Sequence, residues 1–228
     1  LSNFPKIPQR FSIIDETNWD EYFYIGPGDD CYYIWERMSH LWKAGEQPDF
    51  SKYPTNGFIS NFQIPVACKI DNPYRYKHKV SAIKYAAEAL CALIPAEVRK
   101  LATFVPIPPS RKKDDPEHDS RLLRALKAVK DPPLADVREL VILLENVDSK
   151  QKGLSPEDRA SNYYINDAEI DPEPEHIIVF DDVLTTGCHF KAMKLCLIER
   201  FPNVQICGLF LARAVRPPHD DDLGSLLI

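Results

Sequence analysis

The segment from Ile177 to Phe201 constrains the fold more than any other stretch of this chain. Four apolar residues, Ile177-Ile178-Val179-Phe180, run into Asp181-Asp182 and then Val183-Leu184-Thr185-Thr186-Gly187. Beyond them Phe190, Met193, Leu197 and Phe201 recur at helical spacing, and Pro202 follows. An unbroken apolar run predicts a strand covered on both faces, and the period that follows predicts a helix packed against it and stopped by the proline. Strand, tight turn and helix in that order belong to α/β proteins, where parallel strands are joined by right-handed crossovers and ligands bind beyond the strands' carboxyl ends.

The same alternation occurs upstream. Val80, Ile83, Ala87, Leu90, Cys91 and Ile94 mark a helix ended by Pro95, and Thr103 to Pro108 reads as a buried strand. Asp119 precedes a helix carrying Leu122, Leu123, Leu126 and Val129, Leu140 to Leu144 reads as another strand, and Val204 to Ala212 as the last. Residues 76–228 are therefore expected to form a parallel sheet flanked by helices. Residues 1–75 read as an irregular α+β region, a hood or cap, with extended runs at Tyr22 to Ile25 and Gly57 to Phe62 and a possible helix at Trp35 to Trp42. The whole is expected to be one compact domain. The connection between Leu144 and Ile177 is long enough to predict a function of its own or disorder.

Composition narrows the classes. With 44% hydrophobic residues, 27% charged residues and a net charge of −6, the chain reads as soluble and globular, against a general nucleic-acid surface. No apolar run approaches a membrane span, and the six cysteines show neither C-x-x-C pairs nor zinc-ligand spacing. Reduced thiols and a cytoplasmic location are the expectation.

The chemistry concentrates at Asp181 to His189. Free backbone N–H groups at a helix start favour an anion, Thr185 and Thr186 add hydroxyl donors, and Gly187 permits close backbone approach. A phosphate monoester fits such a turn. Asp181 and Asp182 are acceptors suited to a sugar's cis-diol, and adjacent carboxylates are more easily kept ionised beside a cation such as Mg²⁺. The plainer alternative is that the two carboxylates favour the positive helix end and Thr185 caps it, worth about 1 kcal/mol.

These residues resemble the signature of the type I phosphoribosyltransferase family for 5-phosphoribosyl-1-pyrophosphate (PRPP): an apolar strand, two acidic residues and a Thr-Thr-Gly loop. The resemblance implies ribose hydroxyls on Asp181 and Asp182 as the catalytic pair, the 5-phosphate on Leu184, Thr185, Thr186, Gly187, Cys188 and His189, and Mg²⁺ on the pyrophosphate, in possible contact with Asp181 and Asp182. Cys188 and His189 stand where the family commonly has a small residue and a Thr. Two further stretches look like the ComF-type branch, which is associated with DNA uptake. Val105-Pro106-Ile107-Pro108-Pro109-Ser110-Arg111-Lys112-Lys113 matches a strand and its pyrophosphate loop, which puts Ser110, Arg111 and Lys112 on pyrophosphate. Gln151 to Asn162 is similar to the branch's mobile loop, with Lys150, Lys152 and Arg159 as contacts; the plainer reading is a helix start capped by Ser155. Tyr76 to Tyr85 is a fainter echo.

The resemblance spans residues 76 to 216. It departs in lacking an N-terminal zinc-binding Cys cluster and in having Glu117-His118-Asp119-Ser120-Arg121 where the family carries Arg-Gly-Phe-Asn. It implies phosphoribosyl transfer from PRPP to an acceptor of unknown identity, with release of pyrophosphate. The alternative from another class is a non-catalytic PRPP or nucleotide sensor acting with partner proteins in DNA uptake or defence. No membrane and no direct nucleic-acid contact are expected; a protein partner or a second copy of the chain is.

Overall fold

The computed structural model describes residues 4–38, 52–147 and 153–215. Lys150, Lys152 and the stretch beyond Met38 that includes Trp42 lie outside them, as does the acidic tail. Six strands form one sheet: β1 (Ser12–Ile14), β2 (Cys31–Met38), β3 (Thr103–Pro106), β4 (Asp136–Val137), β7 (His176–Leu184) and β8 (Gln205–Val215). Their order is β1-β2-β8-β7-β3-β4, parallel throughout except for the antiparallel β1–β2 pair at one edge. The chain is thus an α/β protein with a mixed, mostly parallel sheet flanked by helices.

The central strands are buried almost end to end, as the apolar run of β7 predicted. After β7 the chain enters α7 (Cys188–Arg200), which buries Phe190, Met193 and Leu197 and returns it to β8. Three other helices pack in succession: α1 (Pro54–Phe62), α3 (Pro73–Leu93) and α5 (Arg121–Lys127). Asn72 caps α3 by accepting the Arg75 N–H, and Pro73 sits at its first position. The short helices α2 (Cys68–Asp71) and α4 (Ala96–Leu101) flank α3 in sequence.

Four expectations are corrected. Gly57 to Phe62 is no strand but the body of α1, because Phe58, Ile59 and Phe62 fall on one helical face and are fully buried there. Trp35 lies in β2, a strand, paired in register with Ala212 of β8. Leu140 to Leu144 yields β5 (Val141–Leu143), which leaves the main sheet and pairs antiparallel with β6 (Tyr163–Ile165). Val141 and Leu143 are buried and Ile142 is exposed, so this strand is covered on one face only. Tyr22 to Ile25 is a loop after a 3₁₀ turn at Trp19–Glu21.

The first 75 residues supply β1 and β2 to the sheet and α1 to its cover, and their apolar side chains join the common core. The long connection is part ribbon and part helix α6 (Pro156–Ala160), capped by the Ser155 hydroxyl on the Asp158 N–H. Ribbon and α6 both pack against α7.

Candidate functional site

β7 carries its carboxylates further into the sheet than the apolar run alone implied. Asp181 still pairs in register with Phe210 of β8, and the strand persists to Leu184. Both aspartates are buried, at 7% and 6% exposure. The turn after them closes at Gly187, whose φ of 83° is the left-handed conformation glycine adopts without penalty. A Cβ there would lie 2.5 Å from the side chain of Ile25, so any other residue would have to displace Ile25 as well as adopt this φ. The loop before β2 is fastened to it, because the Tyr24 N–H donates to the Thr186 carbonyl at 2.9 Å.

This turn is a nest of unused donors. Among the described residues, the backbone N–H groups of Thr185, Thr186, Gly187, His189 and Phe190 have no protein acceptor, and the Thr185 and Thr186 side chains are exposed. The Cys188 N–H is instead spent on Thr186 Oγ1 at 3.4 Å, and its thiol donates to the Leu154 carbonyl. Cys188 therefore ties α7 to the segment before α6 and leaves the unused donors of the turn to its neighbours.

The two carboxylates occupy different electrostatic settings. Asp182 Oδ2 accepts from Arg121 Nη2 at 2.7 Å, Arg121 Nε at 3.1 Å and Gln63 Nε2 at 3.0 Å. Burial acts to raise its pKa, but the Arg121 guanidinium and the Gln63 amide outweigh that and hold it below the ordinary carboxylate value. Asp181 is raised, by burial first and by the Asp182 charge in addition, against the lowering effect of His189. Its Oδ1 accepts the Asp182 N–H at 2.8 Å, and His189 Nδ1 stands 3.6 Å from Oδ2. One oxygen of each carboxylate, Asp182 Oδ1 and Asp181 Oδ2, thus carries no protein hydrogen bond.

Behind Arg121 lies a relay. Arg121 Nη1 donates to Asp119 Oδ2 at 2.8 Å, and the same oxygen accepts from Lys79 Nζ at 2.7 Å. Lys79 is fully buried, and its other two N–H groups reach the carbonyls of Phe62 and Ile64 at 3.2 and 2.7 Å. Those carbonyls flank Gln63. One ammonium therefore anchors both groups that hold Asp182. Sequence reading missed Lys79, Gln63 and the role of Asp119 and Arg121. The available signal was periodicity, since Lys79 falls in step with Ala82, Ile83, Ala86 and Leu90 on the apolar face of α3.

No family model matches this chain, and no curated protein matches it.

The residues converge on a cavity of about 800 Å³ bordered by both aspartates, the turn from Leu184 to His189, Ser110, Arg121 and Arg159. The expected pyrophosphate group is divided. Ser110 faces this cavity, whereas Arg111 and Lys112 border a neighbouring one of about 370 Å³ beneath Pro108-Pro109. The loop is held there by Lys112 N–H on Asn146 Oδ1 at 2.7 Å and by Val147 N–H on the Ser110 carbonyl at 2.8 Å. Arg159 does reach the main cavity, and its Nε is buried without a hydrogen-bond partner. Two further residues bordering the cavity, Arg37 of β2 and Phe23, were not anticipated as site residues. No cluster of three or more His, Cys, Asp or Glu that could hold a metal exists among the described residues. No helix among them is long and apolar enough to cross a membrane.

Proposed function

We propose that this protein binds PRPP on a type I phosphoribosyltransferase-like fold and transfers its phosphoribosyl group to an acceptor. One observation carries the reading: two buried carboxylates, of which Asp182 keeps Oδ1 outside any protein hydrogen bond and Asp181 has only His189 near its Oδ2, share a cavity with a turn of unsatisfied backbone donors. A ribose 5-phosphate carries a diol and a dianion on one small ring, which matches the two kinds of group that line this cavity. The 5-phosphate takes the N–H groups of residues 185–187, 189 and 190, and the ribose hydroxyls donate to Asp181 Oδ2 and Asp182 Oδ1.

The transfer requires no covalent residue. A lone pair on the acceptor forms the new bond to C1 as the C1–O bond breaks, and that electron pair leaves with pyrophosphate. Positive charge grows on the ribose in between, and the ionised Asp182 lies beside it. Arg159, whose guanidinium has no carboxylate partner among the described residues, is the protein's cation for the leaving group. The described residues hold no cluster of three or more His, Cys, Asp or Glu that could cage Mg²⁺, so the ion fits as part of the PRPP complex, where it would neutralise pyrophosphate charge.

A second reading, a PRPP or nucleotide sensor without turnover, is favoured by one fact. Arg111 and Lys112 do not border the main cavity, which leaves fewer cations for a departing pyrophosphate. The experiment is a thermal-shift titration with PRPP and Mg²⁺, followed by pyrophosphate release with a panel of acceptors. Ligand at 100 times Kd stabilises by about 2.7 kcal/mol, a rise of roughly 5–11 °C for a chain of this size. Asp181→Asn combined with Asp182→Asn abolishes the rise. An unmodified protein that shows no shift refutes the proposal; a shift without pyrophosphate release from any acceptor selects the sensor.

A further inference from the structure

On the reading that PRPP occupies the cavity, we infer that the acceptor is an aromatic acid, a nitrogen heterocycle carrying a carboxylate that Arg37 recognises. The cavity has room for a second ligand, since its volume of about 800 Å³ lies high in the usual range for ligand pockets of roughly 300–1,000 Å³. Sheet order fixes where that ligand goes. The loop after β3, with Ser110, lies on one side of β7, while β2 lies two strands away on the other, a backbone separation of roughly 9–10 Å. Displacement at C1 brings the acceptor in from the side opposite the leaving group. With pyrophosphate towards Ser110 and Arg159, the acceptor lies towards β8, β2 and the loop that precedes β2.

What waits on that side is an aromatic ledge and an unpaired cation. Phe23 is 83% exposed and meets Tyr24 edge to face at 4.8 Å, and Tyr24 is fixed by its bond to Thr186. An aromatic residue so exposed at a cavity's mouth offers a flat heterocycle a face to stack on. Arg37 stands at the carboxyl end of β2, in register with Ala214 of β8. On this side of the cavity and at its floor the other arginines are paired, Arg213 with Glu36 and Glu21 and Arg121 with Asp182 and Asp119, while Arg159 lies on the pyrophosphate side. The Arg37 guanidinium has no hydrogen bond or ion pair with any described residue. A neutral base would leave that fork of donors unused, whereas a carboxylate matches it in charge and planar shape.

In the transfer the ring nitrogen's lone pair forms the bond to C1, the C1–O bond breaks, and its electron pair departs with pyrophosphate. A proton on that nitrogen, where the ring carries one, passes to solvent. The carboxylate remains on Arg37 throughout and fixes which nitrogen faces C1.

The test uses the full chain and two matched pairs of rings differing only in the acid: nicotinic acid against nicotinamide, and orotic acid against uracil. PRPP with Mg²⁺ is titrated alone first, by calorimetry, so that failure of the PRPP site is read separately; it would remove the basis of this inference as well. With PRPP bound, at least one acid is expected to bind about 10- to 100-fold tighter than its neutral partner, the usual scale of a charge-assisted contact. Arg37→Gln should erase that difference while PRPP affinity and melting temperature stay unchanged, and Arg37→Lys should restore part of it. Equal binding within both pairs, no binding of either acid, or a loss of PRPP affinity in Arg37→Gln overturns the inference.

Discussion

Replacing Lys79 by Met keeps the volume and removes the ammonium. Its three N–H groups meet three acceptors, Phe62 O, Ile64 O and Asp119 Oδ2, at 3.2, 2.7 and 2.7 Å, with no exposed surface. Removing one partner from a buried ion pair costs about 3–5 kcal/mol, because the other charge is left without compensation. At roughly 2–4 °C per kcal/mol for a chain of this length, the melting temperature should fall by about 6–20 °C. Asp119→Asn removes the stranded charge, so the double variant should be less destabilised than the sum of the two single ones by about 1–3 kcal/mol. Differential scanning calorimetry of the four proteins measures this. A Lys79→Met protein within 2 °C of the parent, or strict additivity in the double variant, would refute the idea of a buried hub. At a temperature where Lys79→Met is folded, its PRPP affinity should also fall, since Gln63 and Arg121 both lose their footing.

Asp29 tests the fastening of the loop before β2 onto α7. Burial pushes its carboxyl up, but bonds from Lys191 and Lys194 outweigh burial and hold it below its ordinary value of 3.8. The unfolded chain therefore takes up the proton first, so this stabilisation is present above that value and disappears as pH falls through the folded one. Asp29→Asn should lower the denaturant midpoint at pH 7 and flatten its fall below pH 4; parallel curves for the two proteins would count against the assignment. Gly187→Ala must place a Cβ 2.5 Å from Ile25 at a φ of 83°, for a combined loss of about 2–5 kcal/mol in urea unfolding. A loss below 1 kcal/mol would mean that Ile25 gives way.

Signals contained in one local segment were legible in the sequence. β7, its turn and α7 follow from an apolar run, a glycine and a period of 3.6, all within 25 consecutive residues. α1 was misread because Gly57 and Asn61 weaken the helical pattern; Pro54 at its first position was a local signal passed over, and the burial against β2 and α3 that decides the matter is tertiary. β5 was assigned to the wrong sheet because a short apolar run does not say whether both its faces are covered, and here Ile142 is open. At the site, the carboxylate pair and the donor turn were found, while the relay that holds Asp182 was not. Lys79, Asp119 and Asp182 are too far apart in the chain for any local pattern to join them, and the charges near Lys79 disguised it as one more residue on a solvated face.

The sheet pairs β2 with β8, and the Glu36–Arg213 ion pair across that junction joins residues 177 positions apart. A ribosome adding about 5–20 residues per second needs roughly 9–35 s to make the second partner after the first. Throughout that interval the eight residues of β2 lack the neighbour that covers their inner edge, and a nascent chain in that condition is a substrate for chaperones or for other unfinished copies. The β3–β7 partners, Thr103 and Ile177, are 74 positions apart and wait roughly 4–15 s, less than half as long. Completion of the wall that carries Arg37 thus comes last among the strands that build the cavity, which stays open on that side until β8 has been made.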